Sequence, residues 1–492
     1  MDNVLINANS KEILSEMLFQ ENVDVENGNK DRVLSVNAVS SVSGYEALNN
    51  ELRVSIRTVF KALKFDGEKY LVEVVETETV KSFVKEDVVP ETMASVFANV
   101  TDCEFTQSGS VIKCKATVSV CGWFIKAKQI EAIGAESEGI LIKSNTVCVE
   151  NAFAIRAESA ESFSDEARMP IAEILDYSAE VVVNDVYPNN GSYRVEGDIN
   201  LRTLIYTDNK QFITQVFSHT FGIDVADENV LENQTLDAVG VVKSLNLTVA
   251  ENDSRVILTE VVFKISGTAV NSAEYEIAKD VYSVNNYLDV DKEDYEVDVH
   301  FCTRTAREKA SATLTQIGAS EIIGTIGNEI TSCVSRDKDG NGLTIEGVYS
   351  TNVLYLDESN EPLNKKAEIA YICRVNNDFP CDGVFCPTVI VNNVNTRLRA
   401  GGDVEISVEL LVTVRGVQKK ELVVIREITV GDKKEIDDYA ITLYIVKNGE
   451  TLWDVAKELN VDEKILLEQN QLSLPLKDGE KIILYREMEF EL

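Results

Sequence analysis

The chain has 492 residues, enough for three or four domains, and its hydrophobic content of 44% allows ordinary apolar cores. Its 83 acidic and 47 basic residues give a net charge of −36, which argues against nucleic acid and anionic membranes as partners because phosphate binding requires clustered Lys and Arg. No apolar run reaches the roughly 18 residues that a membrane-spanning helix needs. Nine cysteines, an odd number scattered along the chain, favour a reducing compartment over a disulfide framework.

Residues 1–29 predict a short amphipathic helical segment. Asn9 and Glu12 have the spacing of a helix-capping pair. The apolar residues that follow at helical spacing are Ile13, Leu14, Met17 and Leu18. The segment has neither a basic start nor a continuous apolar stretch, so we expect no signal peptide.

The next four hundred residues alternate Val, Ile and Thr with charged residues, which is typical of half-buried β-strands. The same marks recur three times in the same order. Each copy has a reference residue in a predicted strand, which we call its anchor. The anchor is followed by a segment that contains an aromatic residue or Leu and ends in Asp, and then by a glycine that we predict to close a long strand. The anchors are Ile56, Gly197 and Gly347, and the glycines are Gly122, Gly267 and Gly416. Twenty-one residues before these glycines stand Thr101, Asn246 and Asn395.

This recurrence predicts a mainly β protein. We expect three tandem antiparallel β-domains near 30–155, 168–285 and 293–432. Each repeat is too long to be a solenoid unit, so each domain should have its own core. Long alternating edge strands could pair with another chain, which leaves a homo-oligomer possible as well as strands covered by neighbouring copies.

Several patterns in the β region could hold metal or catalyse a reaction, and for each one we favour a structural interpretation. The segment from Asp337 to Gly342 matches half of a calcium loop, but the position for the last ligand is Val348, so a hairpin turn explains it better. Cys381 and Cys386 have no histidine neighbours, and four-ligand zinc sites need tighter spacing. We therefore expect no metal and no cofactor.

An enzyme is the least favoured function. The two histidines, His219 and His300, fall in different repeats and in alternating strand segments, without the neighbourhood of a Cys/His peptidase. A glycosidase needs only two carboxylates, but the repeats leave no segment large enough for a separate glycosidase fold. We predict that the protein is not an enzyme.

The C-terminal residues 439–487 predict a compact βααβ module. Thr451 and Asp454 have the spacing of a capping box ahead of a helix, and Asp462 can cap a second helix. The apolar residues at helical spacing are Leu452, Val455, Ala456 and Leu459 in the first helix, and Ile465 and Leu466 in the second. Strands at each end complete the module.

This module resembles the LysM family along its whole length. The matching marks are Tyr444-x-Val446-x-x-Gly449-Glu450-Thr451-Leu452-Trp453-x-Val455-Ala456, then Asn470-x-Leu472, then Pro475-Leu476-x-x-Gly479. In that family the module binds glycans that contain N-acetylglucosamine, or sometimes a protein. The resemblance implies two binding loops, formed by Asn448, Gly449, Glu450, Thr451 and Leu452 and by Asn470, Gln471, Leu472, Ser473, Leu474 and Pro475. We expect Trp453 to be half-buried packing on the strands of the module.

The three repeats resemble the SPOCS domain of clostridial sporulation proteins. The features that carry the resemblance are Glu196-Gly197 followed by Tyr206 and Asp208, Glu346-Gly347 followed by Tyr355 and Asp357, and the long last strand. The first copy departs from the pattern, with Ile56 and Phe65 at the glycine and tyrosine positions.

SPOCS repeats followed by a LysM module imply a non-catalytic scaffold of spore-coat assembly. Such a protein is made in the cytoplasm of the mother cell and lies at the forespore surface, and its LysM module docks on a coat morphogenetic protein, the basement-layer ATPase. The alternative is a wall- or cortex-associated protein that binds peptidoglycan through N-acetylglucosamine.

Overall fold

A computed structural model describes residues 3–28, 31–137, 139–336, 342–376, 383–435 and 441–486. The structure is 77% strand and 3% helix, which confirms the prediction of a mainly β protein with a small helical module at its C-terminal end. Neither helix among the described residues is long or apolar enough to cross a membrane.

Eighteen of the strands form three units of six. The other four form a short two-stranded sheet and the strands of the C-terminal module. The first unit contains β2 (Ser10–Glu26), β3 (Arg32–Leu48), β4 (Glu51–Phe65), β5 (Tyr70–Val84), β6 (Met93–Ser108) and β7 (Val111–Lys126). The second contains β9 (Leu141–Glu166), β10 (Ile171–Asn189), β11 (Ser192–Thr207), β12 (Phe212–Ala226), β13 (Thr235–Ala250) and β14 (Asp253–Tyr282). The third contains β15 (Asn286–Leu314), β16 (Glu321–Arg336), β17 (Gly342–Leu356), β18 (Pro362–Asn376), β19 (Val384–Leu398) and β20 (Val404–Lys433). The short two-stranded sheet pairs β1 (Asn3–Asn7) with β8 (Gln129–Ile133). The module contains β21 (Ile441–Ile445), α1 (Leu452–Leu459), α2 (Glu463–Gln469) and β22 (Lys481–Tyr485).

All three units have the same topology. The first, sixth and fifth strands form one three-stranded antiparallel sheet in that order, and the second, third and fourth strands form another. The two sheets pack face to face on an apolar core of their own, one in each unit. A β-bulge recurs near the start of the second strand, before Ser35, Asp176 and Gly324. The repeat is therefore present in the backbone irregularities as well as in the strand order.

The predicted N-terminal helix is wrong, because Ser10–Glu26 is the first strand of the first unit and pairs with β7. A bulge between Leu14 and Met17 interrupts the alternation, so two side chains three residues apart both pack on the core. This spacing imitates a helical period. The long-range pairing with β7 satisfies the backbone and decides the conformation.

The three units also begin and end at residues other than the predicted domain boundaries. The first unit starts at Ser10 instead of residue 30, and the second starts at Leu141, inside the range predicted for the first. These early segments are first strands that pair with the sixth strand of the same unit, roughly a hundred residues later in the chain.

The repeated glycines do not close strands, since Gly122, Gly267 and Gly416 lie inside β7, β14 and β20. A Cβ atom at Gly267 would lie 1.9 Å from the carbonyl oxygen of Asp237 on the neighbouring strand, and one at Gly122 would lie 2.1 Å from that of Ser95. Glycine is thus needed where the fifth strand approaches the sixth too closely for a side chain.

The three units contact each other pairwise and close into a ring. Between the first and second units, the Lys61 ammonium donates to the carbonyl oxygen of Tyr177 at 2.7 Å. Between the second and third, the Arg415 guanidinium pairs with Asp237 at 2.6 Å. Between the third and first, Lys366 pairs with Asp102 at 2.6 Å.

Two apolar clusters join different units to each other. One cluster joins Leu34, Leu63 and Tyr70 to Leu175 and Leu204 and to Ile323, Ile326, Leu354 and Leu356. The other joins Ile6, Ala8, Ile130 and Ala132, in or beside the β1–β8 pair, to Val149 and Ile277 of the second unit and to Val297, Leu422 and Val424 of the third. A cavity of about 1030 Å³ is lined by the second and fifth strands of every unit.

Replacing Asp237 by Ala should destabilise the ring. The side chain of Arg415 is 5% exposed, so the variant leaves a buried cation without its carboxylate. Removing one partner of a buried pair costs about 3 kcal/mol, which urea unfolding would measure. As a matched control, Glu166→Ala breaks the exposed pair with Arg255 and should cost less than about 1 kcal/mol. Equal losses in the two variants would contradict a buried role for the Arg415 pair.

Replacing Asp298 by Asn should remove a pH dependence of stability. Asp298 is 1% exposed and accepts from the Lys11 backbone N–H at 2.8 Å across the interface of the first and third units. Burial raises the pKa of Asp298 to about 7, against this hydrogen bond and the charge of Lys419. Because the unfolded carboxyl titrates near pH 4, the folded state alone holds the proton between about pH 4 and 7, and stability falls as the pH rises through that range.

The wild-type protein should therefore lose on the order of 3 kcal/mol between pH 5 and pH 8 from this group. The amide introduced by Asp298→Asn still accepts the hydrogen bond but does not ionise, so the variant should lack this part of the slope. Urea unfolding at both pH values checks this expectation. Parallel pH profiles for the two proteins would show that Asp298 is ionised in the folded state.

Candidate functional site

The C-terminal module is built as its sequence predicts at both helix starts. The Thr451 hydroxyl accepts from the backbone N–H of Asp454, whose carboxylate accepts in return from the Thr451 N–H at 2.8 Å. Asp462 caps α2 by accepting from the Lys464 N–H at 2.9 Å. The predicted apolar residues of α1 are all buried; in α2 Leu466 is buried, but Ile465 is 39% exposed.

The first predicted binding loop leaves few side chains free. Asn448, Gly449 and Thr451 are exposed. The Glu450 carboxylate accepts from the Lys447 backbone N–H at 2.8 Å and from the Tyr444 hydroxyl at 3.0 Å. Thr451 is occupied by the helix cap. The loop thus offers mainly backbone groups to a ligand.

Leu452, the last residue of that loop, is 6% exposed and belongs to the core of the module. Leu472 of the second loop packs against the same core. Both predicted loops therefore contribute a leucine to the core of the module, and the Leu452 side chain is too buried to cover a sugar.

The second predicted loop divides into a fixed start and an exposed end. The Asn470 side-chain oxygen accepts from the Ile483 N–H at 2.8 Å, and its amide nitrogen donates to the Ile483 carbonyl at 2.7 Å. This side chain therefore joins the end of α2 to β22. The exposed residues of the loop are Gln471, Ser473, Leu474 and Pro475, and Leu474 is 60% exposed.

The family model of the LysM domain matches residues 444–482. Residues 444–482 form a LysM domain. No curated protein and no solved structure matches the chain. The resemblance of the three β-units to SPOCS repeats stays a prediction.

The LysM domain is docked on the second β-unit through α1. The Trp453 indole N–H donates to the Asp280 carboxylate at 2.8 Å, and Lys457 pairs with the same carboxylate at 2.7 Å. The Trp453 ring meets the Tyr282 ring edge to face at 4.7 Å, and the Tyr282 hydroxyl donates to the Val461 carbonyl at 2.7 Å. The predicted packing role of Trp453 is confirmed, but the residue is buried, and it packs on β14 as well as within the domain.

Asp280 and Tyr282 are residues that the sequence interpretation missed. Both lie at the end of β14, where the alternation looks like any other exposed strand end. Their partners lie 173 and 179 residues further along the chain, so no local sequence pattern predicts these contacts. Docking leaves the exposed residues of both LysM loops in solvent.

An exposed apolar surface lies on the strands of the LysM domain. Ile441, Leu443 and Ile445 of β21 are 61%, 57% and 55% exposed. Ile441 pairs with Tyr485 and Leu443 with Ile483, so these five side chains share one face of the two-stranded sheet. We call these five residues the ribbon face. Apolar patches of this kind mark contact surfaces for other macromolecules.

The other candidate residues have structural surroundings where they are described. His219 contacts Asp165 at 3.0 Å and stacks on Phe163 within the second unit, and His300 lies in β15. Within the described ranges, no three His, Cys, Asp or Glu side chains are grouped so that they could hold a metal ion. Residues 337–341 of the half calcium loop and Cys381 lie outside the described residues.

Replacing Asp280 by Ala should detach the LysM domain without unfolding it. Burial opposes ionisation of Asp280, but hydrogen bonds from Lys457 and Trp453 outweigh this and lower the pKa of the carboxyl. The docking contribution is therefore present above about pH 4 and is lost as the pH falls through the lowered pKa. Small-angle scattering should show a larger radius of gyration for the variant, and trypsin should cleave faster after Lys434, which bonds Asn460 in the docked state.

The exposed Asp289→Ala on β15 is the control and should leave both measurements unchanged. Scattering curves that coincide for Asp280→Ala and the wild type would show that the docking does not depend on this carboxylate.

Proposed function

We propose that this protein is a non-catalytic scaffold in spore-coat assembly whose LysM domain docks on a coat morphogenetic protein. The ribbon face carries the proposal. It combines an apolar surface with unpaired strand edges, which favours a protein partner over a hydrophilic glycan. Because α1 is fixed on the second β-unit, a partner bound to the ribbon face would be held at a defined position on the ring.

The ring itself supports a scaffold role. Its units are joined by charged side chains with little exposure, and such contacts hold neighbouring units in one arrangement. A LysM domain is a binding module, which is consistent with a protein that is not an enzyme.

The resemblance of the three units to SPOCS repeats supports a role in spore formation. It motivates the proposal that the protein is made in the mother-cell cytoplasm and gathers at the forespore surface, with the basement-layer ATPase of the coat as partner. The first unit shares the strand order of the other two, although Ile56 stands at the glycine position, which supports counting it as a third copy of the same repeat.

Peptidoglycan binding is the second candidate function. It is favoured by the exposed ends of the two LysM loops, where backbone groups around Asn448 and Gly449 and the side chains of Gln471 and Ser473 could hydrogen-bond acetamido groups. The exposed Leu474 could cover a sugar face.

Two variants of the full chain separate these functions. Leu443→Ser with Ile445→Ser changes the ribbon face, and Ser473→Ala with Leu474→Ala changes the loop. We expect the ribbon variant, fused to a fluorescent protein in sporulating cells, to lose its ring around the forespore, and we expect the loop variant to keep it. Val80→Ser, a replacement of an equally exposed residue on β5, is the control and should behave like the wild type.

Co-sedimentation with purified peptidoglycan sacculi completes the experiment. Saturable binding that the loop variant loses, together with normal forespore localisation of the ribbon variant, would overturn the scaffold proposal in favour of peptidoglycan binding. Circular dichroism spectra should match for all the variants, since the replaced residues are exposed.

A further inference from the structure

The three β-units meet around the side chain of Trp123, which is 1% exposed. The guanidinium of Arg415 from the third unit lies 5.8 Å from the centre of the indole ring, and the Lys11 ammonium lies 4.1 Å from it. Arg415 also pairs with Asp237 of the second unit. Two cations are thus held at one buried junction.

The strand register brings two cysteines to this junction. Cys386 is directly opposite Arg415 in the pairing of β19 with β20, so both side chains share a face. Cys121 stands two residues before Trp123 on β7 and therefore shares its face. Cys121 and Cys386 are neighbours across the interface of the first and third units, and both line the central cavity.

The electrostatics of the junction separate the two thiols. The neighbouring Cys121 thiol lowers the pKa of Cys386 against the effect of burial, and the charges of Arg415 and Lys11 add to the lowering. The Cys386 thiol and burial raise the pKa of Cys121. Burial raises the pKa of Cys114 and of Cys302 to about 11. Cys386 is therefore the thiol of the pair that ionises more readily.

We propose that Cys121 and Cys386 form a redox-active thiol pair, and that hydrogen peroxide converts it into a disulfide that covalently joins the first and third units. The cavity gives the oxidant access to both sulfurs, and the neighbouring cations stabilise the attacking thiolate.

The chemistry needs only the two thiols and the peroxide. The Cys386 thiolate attacks one peroxide oxygen, the O–O bond breaks, and the departing hydroxide takes up a proton to leave a sulfenic acid and water. The Cys121 sulfur then attacks the Cys386 sulfur, the S–O bond breaks, and the proton of Cys121 leaves with the hydroxide as a second water. The two thiols lose two electrons and two protons in total, and the peroxide is reduced to two water molecules.

The disulfide would close the ring between its first and third units. A cross-link over so long a stretch of chain restricts the unfolded state and should raise the melting temperature. Reduction should reverse the effect. The pair would thereby couple the stability of the scaffold to the redox state of its surroundings.

Peptide mapping of the full-length protein tests the proposal. Reduced protein is treated with hydrogen peroxide, blocked with iodoacetamide and digested with trypsin. We expect a cross-link between peptide 116–126 and peptide 375–397 in most molecules. Cys381 shares the second peptide, so fragment ions or a Cys381→Ser variant must assign the bond to Cys386. Cys121→Ser and Cys386→Ser should abolish the cross-link, and the exposed Cys148→Ser should keep it.

Two further readouts use the wild-type protein alone. Before oxidation, iodoacetamide should modify Cys386 faster than the buried Cys114, and after oxidation dithiothreitol should restore the lower melting temperature. Cross-links scattered among other cysteines, or Cys386 oxidised to a sulfinic acid without a cross-link, would overturn the proposal. These outcomes do not depend on whether the serine variants fold or on the function proposed for the LysM domain.

Discussion

The ring depends on charged side chains that one β-unit buries and another unit satisfies. Lys61 and Arg415 are each less than a tenth exposed, and each has partners that belong to a different unit. A buried charge without a partner is costly, so these residues are compatible only with an assembled ring. The sandwich cores hold each unit together, and the buried charges link the units to one another.

This arrangement also uses part of the small number of basic residues at the interfaces. The chain has fewer basic than acidic residues, and several of its lysines and arginines lie at the interfaces between units. Lys366 and Lys419 are two of them. Their carboxylate partners lie at the same interfaces, so the rest of the chain keeps the excess of acidic residues that the composition shows. An acidic surface keeps a large β-rich protein soluble and leaves its exposed apolar residues as the places where partners can bind.

The LysM domain is also held in place by partly buried contacts with another part of the chain. It is joined to the ring by an aromatic contact and a half-buried carboxylate, so it is a fixed projection of the second unit, and its loops and its ribbon face are offered to partners in a set orientation. The thiol pair of Cys121 and Cys386 lies at another interface of the ring. Docking and ring closure are thus separate features, and each can be altered without touching the other.

The sequence by itself determined the elements whose causes are local. The caps of the LysM helices, the alternation of the strands and the threefold recurrence of one strand pattern all follow from neighbouring residues, and the structure contains them. Tertiary structure decided what depends on distant partners. Ser10–Glu26 is a strand because β7 pairs with it, and Gly267 is required because another strand passes 1.9 Å from where its Cβ would lie. Asp280 is a docking residue only because the LysM domain packs on β14, and Cys121 and Cys386 are neighbours only because the ring closes. Residues far apart in the chain meet through packing and register, which no short window of sequence contains.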